Sequence, residues 1–268
     1  MAALDRTPLE ALLRRDRLVV GAGLAALVAA AWLYLLHMAA VMSDMAMHAA
    51  MPGMAMPMMY AWSWVEVGAL AVMWTVMMVA MMTPSAAPMI LMFAMIHRRR
   101  RAEGRPAVPT AIFVLGYLAI WTAYSVAAAL AQAGLHAAAL LSPAMAATSP
   151  LLAGGLLVVA GLFQWTPLKH ACLSTCRSPM AFLIANWREG RAGAFLMGVR
   201  HGLYCLGCCW ALMALLFVAG VMNLLWVAAI AVAVLIEKVV PRGDLVGRVT
   251  GVALVIAGLL VAGSAVVG

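Results

Sequence analysis

Charge is scarce in this chain. Asp and Glu number nine and Lys and Arg 17 among 268 residues, against 67% hydrophobic residues. A soluble domain of this length would have too few polar side chains to cover its surface. Histidine is also sparse. The six residues, His37, His48, His97, His136, His170 and His201, are scattered along the chain, a poor basis for a nitrogen-rich centre. Cysteine is absent before Cys172, and all five fall between Cys172 and Cys209. An odd count leaves at least one thiol unpaired, and the spacing is not that of a zinc finger. There is no internal repeat, no phosphate-cradling glycine-rich loop and no Ser/His/Asp arrangement, so no catalytic residue is assigned.

The apolar residues come in runs near the bilayer-spanning length of about 20 residues. This predicts an all-α, polytopic transmembrane helical bundle forming a single domain over 1–268. Seven spans are expected, at about 18–41, 64–96, 109–134, 151–168, 194–219, 223–240 and 246–267. The first run has no small-residue cleavage site and is expected to remain as the first helix.

Lys and Arg are missing from the links 42–63, 135–150 and 220–222. All 17 lie toward the opposite side: in the N-terminal lead-in, at Arg98–Arg101 and Arg105, from Lys169 to Arg200, and at Lys238, Arg242 and Arg248. The positive-inside rule then predicts a cytoplasmic N-terminus and an external C-terminus. Topology accounts for the net charge of +8, and no nucleic-acid partner is expected.

Residues 1–17 are expected to be a cytoplasmic lead-in. Residues 42–63, with Pro52, Gly53 and Pro57, are expected to form an irregular external loop rich in Met and His. The segment 169–193 is expected to be cytoplasmic and carries Cys172 and Cys176; its apolar part, 179–187, either lies in the interface or re-enters. Pro84 and Pro88 are expected to break the long second span. Glu237 and Lys238 are placed at the cytoplasmic edge, as an ion pair or a snorkelling anchor.

Methionine is the abundant exception. Seventeen of 23 fall between Met38 and Met95. A thioether is an uncharged soft donor that suits Cu(I) better than Zn, Ca or Mg; it is also an adaptable filler of apolar gaps. In the external loop, Met45, Met47, His48, Met51, Met54 and Met56 have the close spacing of a chain that wraps a soft cation. In span two, Met77 and Met81, and likewise Met78 and Met82, are four apart and share faces, forming a ladder below Glu66. Further on, Cys172 and Cys176 are four apart, as are His201, Cys205, Cys209 and Met213, with Cys208 beside them. That face offers an imidazole, thiols and a thioether. A structural zinc site, a redox pair and inert buried thiols are the alternatives.

Three stretches carry a resemblance. They are Trp74-Thr-Val-Met-Met-Val-Ala-Met-Met-Thr-Pro-Ser-Ala-Ala-Pro88, Gln164-Trp-Thr-Pro-Leu-Lys-His-Ala-Cys-Leu-Ser-Thr-Cys-Arg-Ser-Pro179 and Gly198-Val-Arg-His-Gly-Leu-Tyr-Cys-Leu-Gly-Cys-Cys-Trp-Ala-Leu-Met213, together with Glu237-Lys238. In these the chain resembles a bacterial family of predicted metal-binding integral membrane proteins, catalogued as a domain of unknown function. The resemblance implies metal binding in a multi-pass protein of the bacterial inner membrane and names no reaction.

The residues supply the rest of the expectation. Copper, as Cu(I) and ahead of zinc, is captured on the outer Met/His loop, passed down the Met ladder and received by cytoplasmic-side thiols, in uptake or transfer. The bilayer and a soluble copper donor or acceptor protein are the expected partners. A copper-dependent membrane oxidase or oxygenase is the alternative. A thiol-redox or assembly role without metal transport is the second.

Overall fold

The computed structural model describes residues 8–49, 62–142 and 145–267, with side chains described over 18–43, 62–142 and 145–264. Ten helices form among the described residues: α1 (Pro8–Ala49), α2 (Trp64–Ala102), α3 (Thr110–Ala137), α4 (Pro150–Phe163), α5 (Pro167–Cys176), α6 (Pro179–Asn186), α7 (Gly190–Ala214), α8 (Leu216–Ala219), α9 (Leu224–Val239) and α10 (Gly243–Val267). The described residues hold no strand, only an isolated bridge between Leu141 and Ala147.

Local chemistry sets several helix starts. Ser63 opens α2 with a capping box: its hydroxyl accepts from the Glu66 amide, and the Glu66 carboxylate accepts from the Ser63 amide. Thr166 caps α5 and Asn223 caps α9 in the simpler way. Proline stands at the start of α4, α5 and α6, where its missing N–H costs nothing.

Five segments are long and apolar enough to cross a bilayer: Leu18–Ser43, Trp64–Ala102, Thr110–Ala137, Gly190–Ala219 and Gly243–Ser264. The α4 and α5 helices pass together as a sixth, bent by 65° between Phe163 and Pro167. The seventh expected span is α9, of 16 residues. At about 1.5 Å per residue it reaches about 24 Å, short of a hydrocarbon core of about 30 Å.

Two other expectations change, and a third segment has a defined packing. The helix of α1 continues to Ala49, so the irregular link does not begin at residue 42. No glycine or proline stands between Gly23 and Pro52, and the Met and Ala residues of that stretch favour helix. The α2 helix is continuous through Pro84 and Pro88. Nearby, the hydroxyls of Ser85 and Tyr117 both donate to the Met82 carbonyl, at 2.9 and 3.0 Å; the carbonyls that lose a helical donor to the prolines are those of Ala80 and Pro84. Finally, the segment 169–193 packs on the bundle. The α5 helix lies against α7, and α6 buries Phe182 and Leu183.

The main packing partners are α4 with α10, α3 with α7, and α2 with both α1 and α3. Small residues permit the closest of these approaches. A Cβ added at Gly116 of α3 would overlap the Phe195 carbonyl oxygen of α7, and one at Gly198 of α7 would overlap the Phe113 carbonyl oxygen of α3. Helices inside a bilayer gain little from hydrophobicity and rely on such backbone proximity. Gly198→Ala is therefore expected to lower unfolding stability in detergent by about 1–3 kcal/mol. Gly68→Ala, where nothing lies within 4 Å, serves as the control and should be neutral or slightly stabilising.

Candidate functional site

The α7 helix places Cys205, Cys208 and Cys209 within one turn, each 1% exposed. Cys208 and Cys209 both donate to the Cys205 carbonyl, at 3.1 and 2.9 Å, which holds their sulfurs over the same turn. Three other helices close on them. Cys209 Sγ lies 3.9 Å from Met82 Sδ of α2. Cys205 Sγ is 3.2 Å from the Tyr117 hydroxyl of α3 and 2.9 Å from Lys238 Nζ of α9. All five cysteines are free thiols.

The α4–α5 bend brings the remaining two thiols to the same place. The Cys172 sulfur sits over Gly207, where an added Cβ would meet it at 2.7 Å. Cys176, at the C-terminal end of the same helix α5, lies close to Cys208. Two groups of cysteines about 30 residues apart in sequence thus share one interior surface.

Buried charge surrounds this sulfur. Lys238 Nζ also donates to Ser85 Oγ at 3.1 Å. One residue earlier, Glu237 pairs with Lys169 of α5 at 2.7 Å, and the two side chains are 2% and 1% exposed. Lys169 Nζ donates to Gln164 Oε1 as well. An ion pair this deep carries a desolvation cost that only close geometry and extra hydrogen bonds offset.

The methionine ladder turns inward. Met77, Met78, Met81 and Met82 are at most 1% exposed and belong to the protein core. Of these, Met82 is in sulfur–sulfur contact with a cysteine. The His201 ring lies beside Phe113, Tyr117 and Phe182, with centroids 6.1, 5.6 and 5.5 Å away, and neither ring nitrogen has a partner. Met213 is buried in the core. Glu66 sits at the α2 start and its carboxylate serves the capping box. Met45, Met47 and His48 belong to the last turns of the α1 backbone, and their side chains lie outside the described residues, as do Met51, Met54 and Met56 altogether.

Among the described residues, no three His, Cys, Asp or Glu side chains converge on a metal position. The thioether of Met82 lies beside these thiols. That donor set is all sulfur and fits a soft monovalent cation.

Tyr117, Ser85, Gln164 and Lys169 were not among the sequence candidates. Glu237 and Lys238 were expected as an ion pair or a snorkelling anchor at the cytoplasmic edge; both are buried, and the ion pair that forms is between Glu237 and Lys169. Glu237 turns to Lys169 and Lys238 to Cys205. Ionisable residues within apolar runs were the available signal.

A family model described as "PpoB2: Copper chaperone" matches residues 71–261, a stretch that includes all five cysteines, Met82, Tyr117 and Lys238. No curated protein and no solved structure matches the chain significantly.

Glu237→Gln would leave the Lys169 ammonium buried without its counter-charge. A loss of about 3–5 kcal/mol in unfolding stability is expected in detergent. Lys169→Met combined with Glu237→Met, which removes both charges, is expected to recover most of that loss.

Proposed function

The chain belongs to the PpoB2 copper chaperone family, and from that premise we propose that it carries Cu(I) as cargo at the sulfur cluster. The donors are the thiolates of Cys205 and Cys209 and the thioether of Met82. The observation that carries this assignment is the Cys209–Met82 sulfur contact of 3.9 Å, made one helical turn from Cys205. Cu(I) favours soft sulfur and accepts low coordination numbers, so two thiolates and a thioether suffice.

Charge supports the same assignment. A cuprous ion on two thiolates carries one net negative charge. The Lys238 ammonium, 2.9 Å from Cys205 Sγ, cancels it inside a region where an unbalanced charge is costly. Tyr117 fixes the position of Cys205, and Ser85 that of Lys238.

The other sulfurs form the route. Met77, Met78 and Met81 lead along α2 toward Met82, each a weak neutral donor that the ion leaves easily. Cys208 of α7 and Cys176 at the end of α5, which packs against α7, receive the ion from the cluster. The Met/His residues at the end of α1 (Met45, Met47, His48) and the methionines that follow it capture copper outside, and a soluble partner protein exchanges it. The arginine-rich side is cytoplasmic by the positive-inside rule, and the host is a bacterial inner membrane. This order runs from thioether to thiolate, from weaker to stronger soft ligands, and so favours inward transfer.

Two measurements test this. In competition with a cuprous chelator, the full-length Cys205→Ser/Cys209→Ser protein is expected to lose at least about 100-fold in Cu(I) affinity, and Met82→Leu about tenfold. Undiminished binding by the double variant would overturn the assignment. Met77→Leu with Met81→Leu nearly conserves volume and should cost under about 1.5 kcal/mol in stability. It should slow copper loading of reconstituted vesicles without altering the final stoichiometry. Unchanged loading kinetics would remove the ladder from the route.

A further inference from the structure

His201 of α7 is 2% exposed, and both its Nδ1 and its Nε2 are buried without a hydrogen-bond partner. No other side chain among the described residues has two polar atoms in that condition. His97, Gln164 and Glu237 each have one such atom and bond through the other. A buried polar group left unbonded is costly, and one that persists points to something that satisfies it in another state.

The walls around His201 are aromatic. Phe113 and Tyr117 of α3 lie nearly parallel to the imidazole, each at 26°, and Phe182 of α6 meets it edge-on at 62°. All three rings are buried. The metal-binding chemistry lies along the helix instead. Cys205 follows His201 by four residues, and Cys209 follows Cys205 by four, so the three share one face of α7. Two side chains at that spacing can hold a single metal ion, as histidines four apart on a helix do. Tyr117 joins the two groups. Its ring stacks on the imidazole with centroids 5.6 Å apart, and its hydroxyl is 3.2 Å from Cys205 Sγ. The imidazole and that sulfur therefore touch the same side chain, one on its ring and the other at its tip.

We propose that His201 is a further donor to copper held at Cys205, Cys209 and Met82. Without copper the imidazole rests among the three aromatic rings; with copper it turns toward Cys205 and places a ring nitrogen on the ion. The inference rests on the Cu(I) assignment above and deepens it by adding one nitrogen to the sulfur donors. Imidazole suits copper. A neutral imidazole adds no charge, so the balance between the thiolates, the ion and Lys238 is unchanged. Coordination also gives a partner to a nitrogen that otherwise has none, which favours the loaded arrangement.

The test is copper K-edge X-ray absorption on the full-length protein in detergent, loaded with one equivalent of Cu(I). This separates nitrogen from sulfur neighbours and registers the outer atoms of an imidazole ring. The wild type is expected to show one imidazole nitrogen beside sulfur. His201→Phe suits the aromatic surroundings and removes both unbonded nitrogens, so without copper it should melt no lower than the wild type. Its bound copper should show sulfur alone, and its Cu(I) affinity should fall about tenfold. His170→Gln removes an imidazole elsewhere and should leave the nitrogen signal and the affinity intact. A sulfur-only spectrum in the wild type, or a nitrogen signal that survives in His201→Phe, would overturn the proposal and leave the thiolate assignment standing. A wild-type spectrum without sulfur would overturn both.

Discussion

Positive charge in a dry apolar interior has to be neutralised where it stands, because no water is there to do it. Two lysines of this bundle meet that condition in different ways. Lys169 has a carboxylate and an amide oxygen, from Glu237 and Gln164. Lys238 has a hydroxyl and a thiol, from Ser85 and Cys205. These contacts tie α2, α5, α7 and α9 to one another through polar atoms, in an environment where apolar packing alone distinguishes poorly between arrangements. The sulfur cluster is assembled by the same contacts. Moving Lys238 would displace Cys205, and moving Lys169 would displace the helix that carries Cys172 and Cys176.

The pairing of lysine with thiol also bears on the choice of ion. Two thiolates and one ammonium sum to a single negative charge, which a monovalent ion cancels. A divalent ion on the same donors would leave one positive charge uncompensated. Selection against zinc at this cluster would then come from charge balance as well as from donor softness.

The apolar runs made the helices legible, since a bilayer demands length and hydropathy that composition displays directly. Their ends were less so. The α1 helix outlasts its apolar stretch because helix propensity continues after hydropathy fades, and α2 runs on through Pro84 and Pro88, packed between α1 and α3. The α9 run of apolar residues resembled a full crossing, yet its helix has 16 residues and ends in the two charges that other helices bury. Helical spacing put Cys205, Cys208 and Cys209 together with Met213 and His201, and it could say nothing of partners on other helices. Whether Met82 or Met78 would meet a thiol, and whether Lys238 would turn inward, depended on tertiary packing. The α4–α5 bend, which joins the two cysteine groups, has no sequence signal beyond Thr166-Pro167.

Tyr117 has one more consequence. Its phenol oxygen touches the Met82 carbonyl of α2 and the Cys205 sulfur of α7 at once. A thioether side chain has three rotatable bonds and adapts to whatever gap it meets, whereas an aromatic ring has a fixed length. The separation of the two sulfur-bearing helices is therefore gauged by a rigid plate standing between them. Thermal rearrangement of the methionines can change which way a sulfur points, but the distance it has to cover stays the same.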